Sequence, residues 1–262
     1  MSIFITGDTH GEVVERFSFK HHAPLRNLTK NDTMIIAGDF GGIWDYNCQS
    51  RRDAYILDWM EQQKYHFLIV LGNHENWDAY ETMPVEEWNG GYIRACTYMN
   101  KEYHNIHIVD KTSIFDIEGH HVLCIAGAES HDIQNLLDPE AEDFEVQKKR
   151  MHSCGLWYRV KGQSWWPQEA IDVDFAMNFL EPHENEHFDL IVTHDAPGQI
   201  NEWFSRGFGR YESTEGERYL EALRKTLDFD SWIHGHYHGD FCYPEPYDQR
   251  ISCIYKHIIP VF

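Results

Sequence analysis

Five short stretches of this sequence place Asp, Asn or His directly after an apolar run. They are Gly7-Asp8-Thr9-His10-Gly11, Gly38-Asp39-Phe40-Gly41-Gly42, Gly72-Asn73-His74-Glu75, Thr193-His194-Asp195 and Gly235-His236-Tyr237-His238. Imidazole nitrogen combined with carboxylate or amide oxygen is a donor set for borderline divalent ions such as Mn, Fe and Zn. No cysteine lies in these stretches, which argues against a structural zinc site. Two ions about 3.5–4 Å apart need a shared ligand, and a carboxylate bridges where an imidazole does not. Asp39 is the natural bridge. Such a pair clamps a phosphoryl group, acidifies a water and stabilises charge in an in-line displacement. With Asp8 and Asp39 as the anionic ligands, two such ions leave a centre of about +2, which attracts phosphate.

The elements that must position these residues follow from the apolar runs. Residues 3–6, 33–37, 66–71, 190–193 and 231–234 read as strands, each ending in one of the polar stretches. The C-terminal edge of an α/β sheet is where ligands bind, and the glycines let the backbone fold back so that side chains converge. Taken singly, Gly-Asp and Gly-Asn would read as turns. Two or three further strands are expected between 106 and 126, with Glu118-Gly119 as a turn, and one or two more in 251–262. Helical periodicity covers 50–64 (Ala54, Leu57, Met60), 167–180 (Ile171, Phe175, Phe179, with Glu169 in the first turn) and 214–227 (Leu220, Leu223, Leu227). The alternation argues for an α/β layered fold. Residues 131–166 break the rhythm: acidic over 138–145, then aromatic at Trp157, Tyr158, Trp165 and Trp166, and too long for a plain connection. Two readings stand: an insert or lid facing the substrate, or an excursion that packs its aromatics on the core.

The chain has 262 residues, 42% apolar and 15% aromatic, enough for a large core in one domain spanning 1–262. Its formal charge of −21, from 43 acidic and 22 basic residues, repels polyanions and makes extended nucleic-acid binding unexpected. A small phosphate-ester substrate stays compatible, because bound cations reverse the sign locally. Cys48, Cys96, Cys124, Cys154, Cys242 and Cys253 form no Cys-x-x-Cys pair and read as free thiols. No basic leader precedes the first apolar run and no stretch approaches 18 apolar residues, so a cytoplasmic protein without membrane spans is expected.

The ordered set GDTHG, GDFGG, GNHE, THD and GHYH resembles the calcineurin-like metallophosphoesterase superfamily, whose pattern is GD-x-H, GD-x-x, GNH-[DE], a lone His and GH-x-H. The resemblance implies two mixed β-sheets packed as a sandwich and flanked by helices, with metals where the strands end. It implies one divalent ion on Asp8, His10, Asp39 and His238 and a second on Asp39, Asn73, His194 and His236, with manganese expected and iron or zinc as alternatives. His74 would be the general acid, oriented by Glu75 or Asp45, and the activity would be phosphomonoester or phosphodiester hydrolysis. A nuclease or nucleotide phosphodiesterase, and a non-catalytic scaffold of the same fold, are the alternatives. The Ser/Thr protein phosphatases of this superfamily carry Asp-Arg-Gly after the second Asp. Phe40-Gly41-Gly42 here lacks that Arg, which counts against a protein phosphatase. Trp165-Trp166-Pro167-Gln168-Glu169 and residues 232–238 look similar to bacterial and phage metallophosphoesterases of unassigned substrate. Arg206 and Arg210 are candidates for pairing with substrate phosphate, and Trp44 and Tyr46 for stacking on a base or aryl group. His131 is a candidate to face the site, and His234 reads as buried behind it.

Overall fold

The computed structural model describes residues 2–131, 133–200 and 212–262. The strands, in chain order, are β1 (Ile3–Thr6), β2 (Thr33–Ala37), β3 (His66–Val70), β4 (Val85–Trp88), β5 (Gly91–Tyr98), β6 (Lys101–Val109), β7 (Thr112–Ile117), β8 (His120–Ile125), β9 (Leu136–Leu137), β10 (Arg159–Val160), β11 (His187–Thr193), β12 (Asp228–His234), β13 (Phe241–Cys242), β14 (Ile251–Cys253) and β15 (Ile259–Pro260). They form a seven-stranded sheet ordered β15-β1-β2-β3-β6-β5-β4, a six-stranded sheet ordered β13-β14-β12-β11-β8-β7, and a short β9–β10 pair. The two large sheets are mixed, as the resemblance implies. β1, β2 and β3 run parallel, and so do β8, β11, β12 and β14.

The strands at the centre of each sheet are apolar almost throughout, the pattern of a sheet covered on both faces. In β2 every residue is buried. Alternation in the second sheet shows how the layers stack. Val122, Cys124, Leu190, Val192 and Ile233 join the core of the first sheet, whereas Leu123, Ile125, Ile191 and Trp232 pack with Leu180, Leu220 and Leu223 on the other face. The two sheets therefore meet face to face, with helices outside. The helix Arg51–Glu61 covers the first sheet with Ile56, Leu57 and Met60. The helix Glu215–Thr226 covers the second, its start fixed by a reciprocal capping box of Thr214 and Glu217. No helix among the described residues is long and apolar enough to cross a membrane, and all six cysteines are free thiols.

The expected helix over 167–180 is broken in two. Pro167–Glu169 makes a tight 3-10 turn, and the α-helix starts only at Val173, capped by Asp172 accepting the Phe175 N–H at 3.1 Å. Glu169 is drawn inward to accept the Ser130 N–H at 2.6 Å and is buried. It therefore serves a loop, not a helix dipole. In the 131–166 excursion some aromatics pack inward and others do not. Trp166 is fully buried and donates its indole N–H to Asp78 at 2.9 Å. The helix Phe144–Ser153 buries none of its side chains, and Trp157 is 83% exposed.

Candidate metal centre

All five polar stretches follow the C-terminal ends of parallel strands: β1, β2, β3, β11 and β12. Two sheets must be joined for them to converge, and backbone contacts do this. The His194 ring donates Nδ1–H to the Ala37 carbonyl at 2.9 Å across the sheets, and within the first sheet the Asp8 N–H bonds Gly38 O at 3.1 Å. Both oxygens of Asp8 accept the His236 N–H, at 3.1 and 3.2 Å. Gly38, at φ +85°, has no room for a Cβ, because that atom would overlap the His194 ring. Asp8, His10, Asp39, His236 and His238 themselves hold positive φ, between 45° and 69°. Each costs about 1–2 kcal/mol for a residue with a Cβ, and such strain gathers at functional sites.

The donors fall into two groups. Asp8, His10, Asp39 and His238 offer ligand atoms all within 4.8 Å of one another. In this group His10 Nε2 lies 3.0 Å from His238 Nε2 and 3.9 Å from Asp39 Oδ2, and His238 Nε2 lies 3.5 Å from Asp8 Oδ1. In the second, His194 Nε2 lies 3.1 Å from Asp39 Oδ1 and 3.2 Å from Asn73 Oδ1. Asn73 donates its amide N–H to Ser130 at 2.9 Å, which turns Oδ1 toward His194. The His236 ring stands 4.9 Å from the His194 ring. Asp39 thus directs one oxygen to each group.

Burial and mutual charge set the electrostatics of these residues. Burial pushes the Asp8 carboxyl up to about 8, with His194 pulling the other way. Burial would raise Asp39 too, yet the adjacent His194 holds it far below the usual carboxylate range. Burial also works against a charged His194, but Asp39 and Asp8 carry it up to about 10. His236, by contrast, is held neutral by burial, and its Nε2 is buried with no hydrogen-bond partner. A buried imidazole nitrogen left without a partner, in a ring 4.9 Å from that of His194, suits a ligand for a divalent ion. The Nδ1 bond of His194 to a carbonyl is the outer contact that fixes a ligating imidazole.

His74 lies beside both groups. Its N–H donates to Asp39 Oδ1 at 2.8 Å, and its ring sits edge-on to His10 at 5.4 Å and stacks on Trp44 at 6.1 Å. The structure engages both carboxylates proposed to orient it elsewhere. Glu75 accepts the Phe40 and Gly41 N–H groups and the Tyr80 hydroxyl, and Asp45 accepts from Asn47 and Gln49. What meets the ring is Arg159, whose Nη2 donates to His74 Nε2 at 3.2 Å. Arg16, also unmarked in the sequence reading, is buried under the first loop and bonds the carbonyls of Gly7, Asp8 and Tyr255. His131 does face this region: its ring is 4.9 Å from that of His236, and with Asp195 the three offer donors within 4.8 Å. His234 is fully buried against the Tyr243 hydroxyl at 2.8 Å. Trp44 and Tyr46 line a cavity of about 620 Å³ with Arg52, Gln163 and Ser164. Arg206 and Arg210 lie outside the described residues.

Comparison with known proteins adds one decisive match: the family model for calcineurin-like phosphoesterases covers residues 1–240. No curated protein matches significantly. Among solved structures, phosphopantetheinyl hydrolase (PptH) from Mycobacterium tuberculosis is similar at 9% identity and a TM-score of 0.44, covering 97% of this chain and 88% of that one. A protein of unknown function, AQ665 from Aquifex aeolicus, is similar at 15% identity and a TM-score of 0.29, covering 87% of each chain.

Proposed function

This chain belongs to the calcineurin-like phosphoesterase family, and from that premise we propose that it hydrolyses small phosphate esters at a centre of two divalent ions, with manganese as the preferred metal. Metal-dependent phosphoester hydrolysis is the general chemistry of that family. The observation that carries the finer reading is the placement of Asp39, buried, with one oxygen toward the His10 group and the other toward His194. Asp8, His10, Asp39 and His238 would hold one ion, and Asp39, Asn73, His194 and His236 the other. When bound, the ions supply Lewis acidity toward the phosphoryl oxygens and a hydroxide nucleophile at neutral pH.

The chain's own residues do the rest. The Ala37 carbonyl fixes the His194 ring so that Nε2 faces the site. Ser130 fixes Asn73 so that its oxygen does. Positive-φ backbone at five of the seven donors sets the site before substrate arrives, and such preorganisation is where electrostatic catalysis gains most. His74 stands outside the donor sets and delivers a proton to the leaving oxygen. The groove lined by Trp44 and Tyr46 receives the leaving group. Six free thiols suit a reducing, cytoplasmic setting.

The test is hydrolysis of an aryl phosphate after reconstitution with Mn²⁺, in wild type and Asp39→Asn. The expected outcome is Mn²⁺-dependent turnover, abolished by chelator and by the substitution, with metal content reduced in the variant. Full activity of Asp39→Asn in chelator would sink the proposal.

A further inference from the structure

We propose that Arg159, carried by the 131–166 excursion, is the guanidinium that holds the substrate's phosphoryl group over the metal centre; this rests on the phosphoesterase reading above. A monoester phosphoryl group has three terminal oxygens, more than two ions take up singly, and a guanidinium matches the remaining geometry with paired N–H donors. The usual place for it, beside the bridging carboxylate, is taken by Phe40-Gly41-Gly42, with Phe40 fully buried in the core.

Two other guanidiniums among the described residues approach the site, and neither serves. Arg16 lies beneath the Asp8 loop, bonded to Thr6 Oγ1 and to three carbonyls. Arg52 lies against Gly11 and pairs with Asp53 at 3.7 Å, with more than half of its side chain in solvent. Arg159 comes in at the rim. Its Nη2 is 3.2 Å from His74 Nε2, and the His74 ring is 5.4 Å from that of His10, so the guanidinium stands one imidazole away from the first donor group.

The excursion holds it there by several contacts. The Arg159 N–H bonds Asn135 O at 2.9 Å, and Nη1 bonds Ser164 O at 3.2 Å. The next residue, Val160, is buried, and its N–H bonds Ser164 Oγ at 2.9 Å. Farther along, fully buried Trp166 stands edge-on to Trp44 at 6.0 Å, and Trp44 stacks on His74. An entering phosphoryl oxygen makes a charge-assisted contact with a guanidinium, reached at the cost of a small side-chain movement.

The test compares wild type, Arg159→Met and Arg159→Lys by calorimetric titration with inorganic phosphate on Mn²⁺-loaded protein, alongside aryl phosphate kinetics. Metal content and thermal melting identify any variant that has lost its fold, and Met keeps the apolar stem. Expected is phosphate binding weakened about ten- to a hundredfold in Arg159→Met, the loss of one charge-assisted contact. KM should rise in step, metal content should stay unchanged, and Lys should recover part of the loss. Phosphate affinity in Arg159→Met within twofold of wild type overturns the assignment. If wild type binds phosphate but hydrolyses no ester, the phosphoesterase reading fails while the comparison of phosphate affinities still decides the role of Arg159.

Discussion

His74 separates two jobs that neighbouring residues in one motif perform. Asn73 turns its oxygen into the second donor group, while His74 sets its ring beside the first and engages Asp39 through its backbone N–H. Removing the ring should therefore leave the donors in place. His74→Ala is expected to keep its full complement of Mn²⁺ and lose roughly 10²–10⁴ in kcat, the usual worth of a positioned proton donor. Metal analysis and steady-state kinetics on one preparation check this, and an unchanged kcat would remove His74 from the chemistry. The donors were legible because Gly-Asp, Gly-Asn and Gly-His at strand ends are a local signal of residues adjacent in sequence. Arg159 was not legible. Its contact with His74 spans 85 residues, and a single Arg in an irregular segment carries no spacing to mark it. The same blindness led to Glu75 and Asp45 as partners for His74, because both are near in sequence and the backbone groups that occupy them are not.

At the scale of elements, the three donor strands of the first sheet were read to within a residue, while β11 and β12 begin three residues earlier than read, at the polar residues His187 and Asp228 that precede their apolar runs. Among the features that escaped, two are instructive. The β4–β5 hairpin turns at Asn89-Gly90, both at positive φ as a tight hairpin requires. Its first strand is an exposed edge reading Val-Glu-Glu-Trp, with no apolar alternation to announce it. The 167–180 helix looked continuous because periodicity does not register that Pro167 closes a tight turn. Another element-level device is a clamp at His121. Its ring meets Asp116 of β7 at 3.0 Å and Glu186, just before β11, at 2.9 Å, and stacks on Phe188. Burial alone would lower its pKa, but the two carboxylate contacts raise it above 6.5. The folded protein then holds this proton to higher pH than the unfolded chain. The clamp's stabilisation is complete below about pH 6.5 and fades as pH climbs through the raised value. Melting temperatures of wild type and His121→Gln should differ most at pH 5.5 and converge toward pH 8.5. A gap independent of pH would mean the ring acts only by packing.

For the whole molecule, the charge of −21 sets a long-range field opposite in sign to the proposed metal-loaded site. The two divalent ions proposed there would offset only a small part of it. A chain of this length has a radius of gyration of about 18 Å, so distant carboxylates and the metal centre are felt over different ranges. At 0.01 M salt the screening length is about 30 Å, and an approaching phosphate ester meets the repulsion of the entire surface. At 0.15 M it is about 8 Å, and the ester meets mainly the local cationic centre. Raising salt should therefore increase kcat/KM for a small anionic ester while leaving kcat unchanged. An enzyme that tracks nucleic acid along a basic surface does the opposite, losing affinity steeply as counterions compete. The experiment measures kcat/KM for an aryl phosphate from 0.01 to 0.15 M salt with Mn²⁺ saturating throughout. A rise supports a small substrate that reaches a positive centre through a negative field. A steep fall would show that a basic track guides the substrate, and would revive the nuclease alternative.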